Sequence, residues 1–192
     1  MAGKKNQVRI IGGRWRGRKL EFPSIEGLRP TADRIRETLF NWLQPHLPQS
    51  HCLDLYAGSG ALGFEAASRG AKSVLMVDNN IAVIRSLKSN KQTIQADNIQ
   101  VMQRTAVDLL KQGLKKTTES IEIAFLDPPF QKDELQRCVK QLEQSQCLSD
   151  NAIIYLECER ELSLDFLPTN WVQHRSKTAG QVAYYLYHRE SV

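Results

Sequence analysis

No run in this 192-residue chain approaches the roughly 18 consecutive apolar residues of a membrane span. The opening Met1-Ala2-Gly3-Lys4-Lys5-Asn6 leads into no hydrophobic signal-peptide core, so a cytoplasmic protein is expected. Cysteine is sparse: Cys52, Cys138, Cys147 and Cys158 are widely separated and form no C-x-x-C pair. That spacing indicates neither a zinc knuckle nor a disulfide framework and leaves four buried thiols as the expectation. His46, His51, His174 and His188 are equally unclustered, and no metal site is expected. Repeats and low-complexity tracts are also missing. The length suits one ordinary domain, with room for only a small second unit.

Charge is unevenly spread. Residues 1–36 hold ten Lys or Arg (Lys4, Lys5, Arg9, Arg14, Arg16, Arg18, Lys19, Arg29, Arg34 and Arg36) against the three acids Glu21, Glu26 and Asp33. The rest of the chain holds 16 basic residues against 18 acidic ones, so the net +5 belongs to the amino-terminal end. A basic segment beside a nearly neutral body is the electrostatic footprint of a nucleic-acid contact, because each neutralised phosphate releases counterions. A solvated basic tail would carry the same charge. Two features favour a folded appendage: Trp15 interleaved with arginines, and glycines placed to turn a hairpin between residues 8–11 and 14–22. Residues 1–30 are therefore expected to form a small basic extension, with residues 31–192 as the main domain.

After Leu28-Arg29-Pro30-Thr31, Thr31 is placed to cap a helix running to Gln44, with Ile35, Leu39 and Trp42 or Leu43 on its buried face and Arg34 and Arg36 off that stripe. Short apolar runs at 51–57, 72–78, 99–104, 121–126 and 152–157 alternate with helical stretches: one closing at Gly70, one carrying Ile81, Ile84 and Leu87, and two more at 106–112 and about 132–144. That alternation predicts an α/β fold with a parallel sheet covered by helices on both faces. Residues 171–176 and 182–187, joined by a glycine-containing turn, predict a terminal antiparallel hairpin.

Two stretches carry chemistry. The first is Asp127-Pro128-Pro129-Phe130, directly after a buried strand. Successive prolines stiffen the backbone and remove two N–H donors, leaving the carbonyls and the Asp127 carboxylate as acceptors with no neighbouring donor. Acceptors beside the flat ring of Phe130 suit an amino group on a planar base, although an ordinary strand end with a Pro-Pro turn accounts for the same four residues. The second is Gly58-x-Gly60-x-x-Gly63, which follows a strand and precedes Asp78 by the interval of a dinucleotide fingerprint. A nicotinamide-dependent oxidoreductase is thus one reading. Asp54 weighs against it: four residues ahead of the first glycine, its carboxylate would repel a pyrophosphate yet attract an ammonium or sulfonium group. S-adenosylmethionine carries both cations.

Asp54-Leu-Tyr-Ala-Gly-Ser-Gly-Ala-Leu-Gly63 resembles the cofactor loop of class I S-adenosylmethionine-dependent methyltransferases, and Asp127 to Phe130 resembles the motif of their amino-methylating members. Ile11-Gly-Gly-Arg-Trp-Arg-Gly-Arg-Lys-Leu20, Leu28 to Thr31, Arg34-Ile-Arg-Glu-Thr-Leu-Phe-Asn-Trp-Leu43 and Ala179-Gly-Gln-Val182 are similar to the RsmD family of bacterial 16S ribosomal RNA guanine-N2 methyltransferases. The resemblance implies a seven-stranded Rossmann-like sheet and methyl transfer to the exocyclic N2 of one guanine in 16S ribosomal RNA, within the small ribosomal subunit during assembly, by a monomer. It assigns Asp127, Pro128 and Phe130 to the target base. Asp54, Tyr56, Ala57, Gly58, Gly60, Asp78, Thr105 and Asp127 fall to the donor, while the basic amino-terminal segment itself offers Arg14, Trp15, Arg16, Arg18, Lys19, Arg29 and Arg34 to RNA. Asp78 stands where relatives often have Glu, and Thr105 where they often have Asp or Asn. An N6-adenine DNA methyltransferase shares the Asp127 motif, and a non-catalytic RNA-binding assembly factor is a further alternative.

Overall fold

Runs such as Ile121-Glu-Ile-Ala-Phe-Leu126 are apolar on both sides of the chain, which only a strand covered on both faces can satisfy. The computed structural model describes residues 6–28, 30–114, 119–130 and 133–191. After a two-stranded antiparallel ribbon of β1 (Asn6–Arg9) and β2 (Lys19–Phe22), the chain enters α1 (Asp33–Leu43). It then alternates through β3 (His51–Asp54), α2 (Ala61–Ser68), β4 (Ser73–Asp78), α3 (Ile81–Ile94), β5 (Ile99–Gln103), α4 (Ala106–Gln112), β6 (Ile121–Leu126), α5 (Glu134–Gln144) and β7 (Leu148–Glu159). It ends in the hairpin of β8 (Trp171–Ala179) and β9 (Val182–Arg189).

The main sheet runs β5-β4-β3-β6-β7-β9-β8, parallel from β5 to β7 and antiparallel at β9 and β8. Successive crossovers run outward from β3 through β4 to β5, and then restart on its other side at β6. The order therefore reverses between β3 and β6, and the crevice past their carboxyl ends is where such sheets bind ligands. One apolar cluster lies under α1, α2 and α3, and a second under α4 and α5. These are the two covered faces the alternation predicts.

The amino-terminal ribbon adds Val8, Ile10, Trp15, Leu20 and Phe22 to the first of these clusters. What fixes it is a buried carboxylate on α2. Glu65, fully buried, accepts hydrogen bonds from the Ile11 and Gly12 N–H groups at 2.7 and 2.8 Å and from Arg69 at 2.6 Å. The Arg36 guanidinium lies 3.7 Å from its other oxygen. Ser68 adds bonds to Trp15 N–H and the Gly12 carbonyl. At Gly13 (φ +73°), an added Cβ would come within 1.9 Å of the Ser68 carbonyl oxygen, so only glycine permits this approach.

Several local expectations are corrected. The two ribbon strands are shorter than the hairpin predicted, because Arg14 to Gly17 form the connecting turn. Arg36, read as an exposed base, is buried; it donates to the Thr31 and Arg9 carbonyls and to Asp33. The N-cap of α1 is Ala32, and the Thr31 hydroxyl goes elsewhere, as the site explains. Residue 132, where a helix start was expected, lies outside the described residues; the helix is found from Glu134.

Candidate active site

Asp54 ends β3, Asp78 ends β4 and Glu157 lies near the end of β7; Asp127 follows β6 directly. Phe125 pairs with Asp54 on one side and Leu126 with Leu156 on the other. The register therefore carries Asp127 next to Glu157 and close to Asp54. Pro128 ends the β6 ladder because it has no N–H to donate.

Each acid is held differently. Asp54 is buried and accepts from Gly63 N–H at 3.0 Å, so it shapes the glycine loop from below. Burial, with Asp78 nearby, pushes its carboxyl up to about 7. Asp78 accepts from Gly58 N–H at 3.0 Å and Asn80 N–H at 2.8 Å. Asp127 is pushed well above the usual carboxylate range by burial and by the charges of Glu157 and Asp54. Glu157 is raised by burial, with Tyr155 donating to it at 2.7 Å. Among the described residues none of Asp54, Asp127 and Glu157 is paired with a Lys or Arg. Ionising these carboxyls is costly in the crevice, and a bound cation would relieve that cost.

The sequence left Asp127 without a donor, and the fold supplies one: Thr31 Oγ1 donates to its Oδ2 at 3.3 Å. This contact spans 96 residues, so no local pattern could reveal it. The segment before it also reaches the site, since Leu28 lies 2.9 Å from where a Cβ on Gly58 would stand. Gly60 (φ +81°) leaves no room for a Cβ between Phe64 and Leu87, and its N–H bonds the Ala57 carbonyl at 2.7 Å. Ala57 is buried, its N–H on the Val77 carbonyl. Tyr56 points into the other face of the sheet, where its hydroxyl donates to Glu134 and burial raises it far above its ordinary range. Thr105 caps α4, accepting from Asp108 N–H, at the end of the outermost strand.

Two large apolar side chains stand exposed at this end of the sheet: Phe130 (52%) and Ile81 (47%), the latter three residues past Asp78. Ile81 and Glu157 are the site residues the sequence reading missed. Glu157 carried a legible signal, being an acid at the end of a core strand like Asp54 and Asp78.

The basic residues divide. Because α2 and α3 begin at the carboxyl ends of β3 and β4, their last turns lie at the opposite end of the sheet. Arg14 N–H bonds the Ser68 carbonyl and Arg18 bonds the Thr93 carbonyl, which places the exposed Arg14, Arg16 and Arg18 there. With about 1.5 Å per residue along the 14 residues of α3, they sit roughly 20 Å from Asp78 along that helix. Lys19, also exposed, starts β2 on the same ribbon. Trp15 is corrected: expected at RNA, it is buried under the Arg14 guanidinium and serves as the ribbon's anchor. Arg34, exposed in the first turn of α1, is at the Asp127 end. Arg29 lies outside the described residues.

The family model described as "Conserved hypothetical protein 95" matches residues 8–188. The chain belongs to this family. It is 49% identical over 185 residues to the Ribosomal RNA small subunit methyltransferase D of Escherichia coli K12, covering 96% of this chain and 91% of that protein. The protein of the same name in Haemophilus influenzae is 45% identical, with 95% and 94% covered. Among solved structures, a putative methyltransferase yhhF from Escherichia coli superimposes with a TM-score of 0.85 at 46% identity, covering 97% of this chain and all of that one. Family membership makes the chain a methyltransferase of RsmD type, and the sheet order carries the fold that its sequence resemblance implied.

Proposed function

We propose that this methyltransferase takes the methyl group of S-adenosylmethionine to the exocyclic N2 of a guanine in 16S ribosomal RNA, acting as a cytoplasmic monomer on the small ribosomal subunit during its assembly. The observation that carries the reading is the placement of Asp127, Pro128 and exposed Phe130 across the β3/β6 crevice from the glycine loop. The RNA class rests on likeness to relatives named for the small-subunit ribosomal RNA.

The donor's residues fit on two grounds. Three carboxylates with no basic partner among the described residues suit a ligand bearing ammonium and sulfonium charge, and the glycine loop admits close approach. Asp54 and the loop at Gly58 and Gly60 would hold its amino-acid end, Asp78 its ribose hydroxyls, and Ile81 one face of its adenine, with Thr105 at the adenine edge. When bound, the donor supplies an electrophilic methyl group on sulfur.

An aryl amine is a poor nucleophile because its lone pair is delocalised into the ring. Asp127 Oδ1 and the Pro128 carbonyl can accept its two N–H bonds while Phe130 stacks on the base, which turns the lone pair toward the methyl group. Thr31 occupies Oδ2 and so fixes the carboxylate's rotation. Positioning and electrostatics then supply the rate; as the S–CH3 bond breaks to leave the neutral thioether, the alkylated nitrogen becomes acidic and releases its proton to Asp127 or water, so no strong general base is required. The base must leave its stack to reach Phe130, at a cost of a few kcal/mol.

The decisive experiment incubates the protein with labelled donor and, in parallel, small-subunit particles, naked 16S RNA, DNA and protein. Label in guanine of the small-subunit RNA is expected. Label in DNA adenine or in protein, with none in RNA, would overturn the reading. Asp127→Ala should lose transfer by at least about a hundredfold while calorimetry still detects donor binding.

A further inference from the structure

We infer that the cleft between the first turn of α1 and the tip of the β8–β9 hairpin is an RNA-phosphate site, gripping the strand beside the target base. The inference rests on the proposal that the acceptor is an RNA base. Arg34, Ile35 and Thr38 line one side of the cleft, and Lys177, Gly180 and Tyr184 the other, around about 390 Å³. That volume falls within the roughly 300–1,000 Å³ of ligand sites. Its charged lining residues are Arg34 and Lys177, no carboxylate lines it, and neither cation is ion-paired with a described acid. The cleft offers positive charge with no internal counterion, which is the complement of a phosphodiester.

Its position ties it to the reaction. Because β8 runs parallel to β7 and β9 returns antiparallel, the hairpin tip lies at the carboxyl end of the sheet, with Val182 opposite Glu159. Tyr184 pairs with Glu157, the neighbour of Asp127, and Ala32, also in the lining, follows the Thr31 that bonds Asp127. The arginines of the amino-terminal turn are at the other end of the sheet and cannot hold the nucleotides next to a base seated at Phe130. Arg34 and Lys177 can. Lys177 Nζ stands 6.0 Å from the Trp42 ring centroid, so the aromatic surface steadies the ammonium without consuming its hydrogen bonds.

The test uses the full-length protein and a fluorescent single-stranded RNA oligonucleotide containing guanine, titrated across a salt series. Arg34→Gln and Lys177→Gln are each expected to weaken binding and to reduce the magnitude of the log–log salt slope by about 0.7, and the double variant by about twice that. Lys177→Arg should restore the slope. Arg137→Gln, an exposed residue of α5 on the opposite face, should leave it unchanged. Wild-type affinity and slope in the double variant, in a protein that still methylates RNA, would overturn this inference and leave the proposed function standing. A wild-type protein that binds donor but neither binds nor methylates RNA would overturn both. Because the cleft of Arg34 and Lys177 includes none of Asp54, Gly58, Gly60 and Asp78, S-adenosylhomocysteine affinity should be unchanged throughout, and its loss together with RNA binding would also count against a phosphate site.

Discussion

Asp54 shows how one residue can serve a loop at a cost to the fold. Its carboxyl is raised to about 7, against about 3.8 for an unperturbed group, so the folded chain holds this proton more tightly than the unfolded one. The linked stability is fully present below about pH 4 and is lost as pH rises through about 7. Full loss is on the order of 4 kcal/mol. Asp54→Asn keeps an oxygen for Gly63 N–H and removes the titration. Urea unfolding should find the variant more stable than wild type at pH 8, with the gap closing toward pH 4, and a gap independent of pH would refute the assignment. The same variant should bind S-adenosylmethionine more weakly, because a cation-attracting charge is gone. Ile81 gives the converse case: being 47% exposed, its replacement by alanine should barely move the unfolding midpoint yet weaken donor binding several-fold by calorimetry.

At the scale of elements, the parallel strands were legible because strands buried on both faces must be apolar runs, and the glycine loop because its geometry constrains residue type. The docking of the amino-terminal ribbon was not. It depends on Glu65 and Ser68, which in the sequence are two polar residues of a helix, and on Arg36, whose charge argued for the surface until its carbonyl and carboxylate partners were in place. Thr31 was legible as a helix start and illegible as the partner of Asp127, since only the tertiary fold brings 31 and 127 together. Glu65→Ala leaves the Arg69 guanidinium and two backbone N–H groups without their acceptor and removes the carboxylate beside the buried Arg36, a change that costs roughly 3–5 kcal/mol. A large fall in melting temperature is expected, with faster amide exchange across residues 6–22. Glu65→Gln, which keeps acceptor capacity, should lose less. An Ala variant with wild-type melting and exchange would show that the ribbon is held by its apolar face alone.

For the whole molecule, the amino-terminal excess of positive charge predicted an RNA contact but not where on the fold it would fall. The topology divides the basic residues between the two ends of the sheet, with Arg14, Arg16 and Arg18 at one and Arg34 with Lys177 at the other. Charge at the far end can raise affinity by neutralising phosphates and releasing counterions, but it cannot orient an amine held at Asp127. Neutralising Arg14, Arg16 and Arg18 together should therefore raise KM for the RNA substrate and reduce the magnitude of the salt slope by about 2, with kcat little changed and donor affinity untouched. Trp15 must be left in place in such a variant, since it anchors the ribbon in the core. Removing the charge at the near end should instead lower kcat as well as affinity, because phosphates beside the target set the pose of the base. Steady-state kinetics on small-subunit particles would separate the two ends. If the Arg14, Arg16 and Arg18 variant loses kcat with KM unchanged, the far-end turn acts on the chemistry and the division of labour between the ends is wrong.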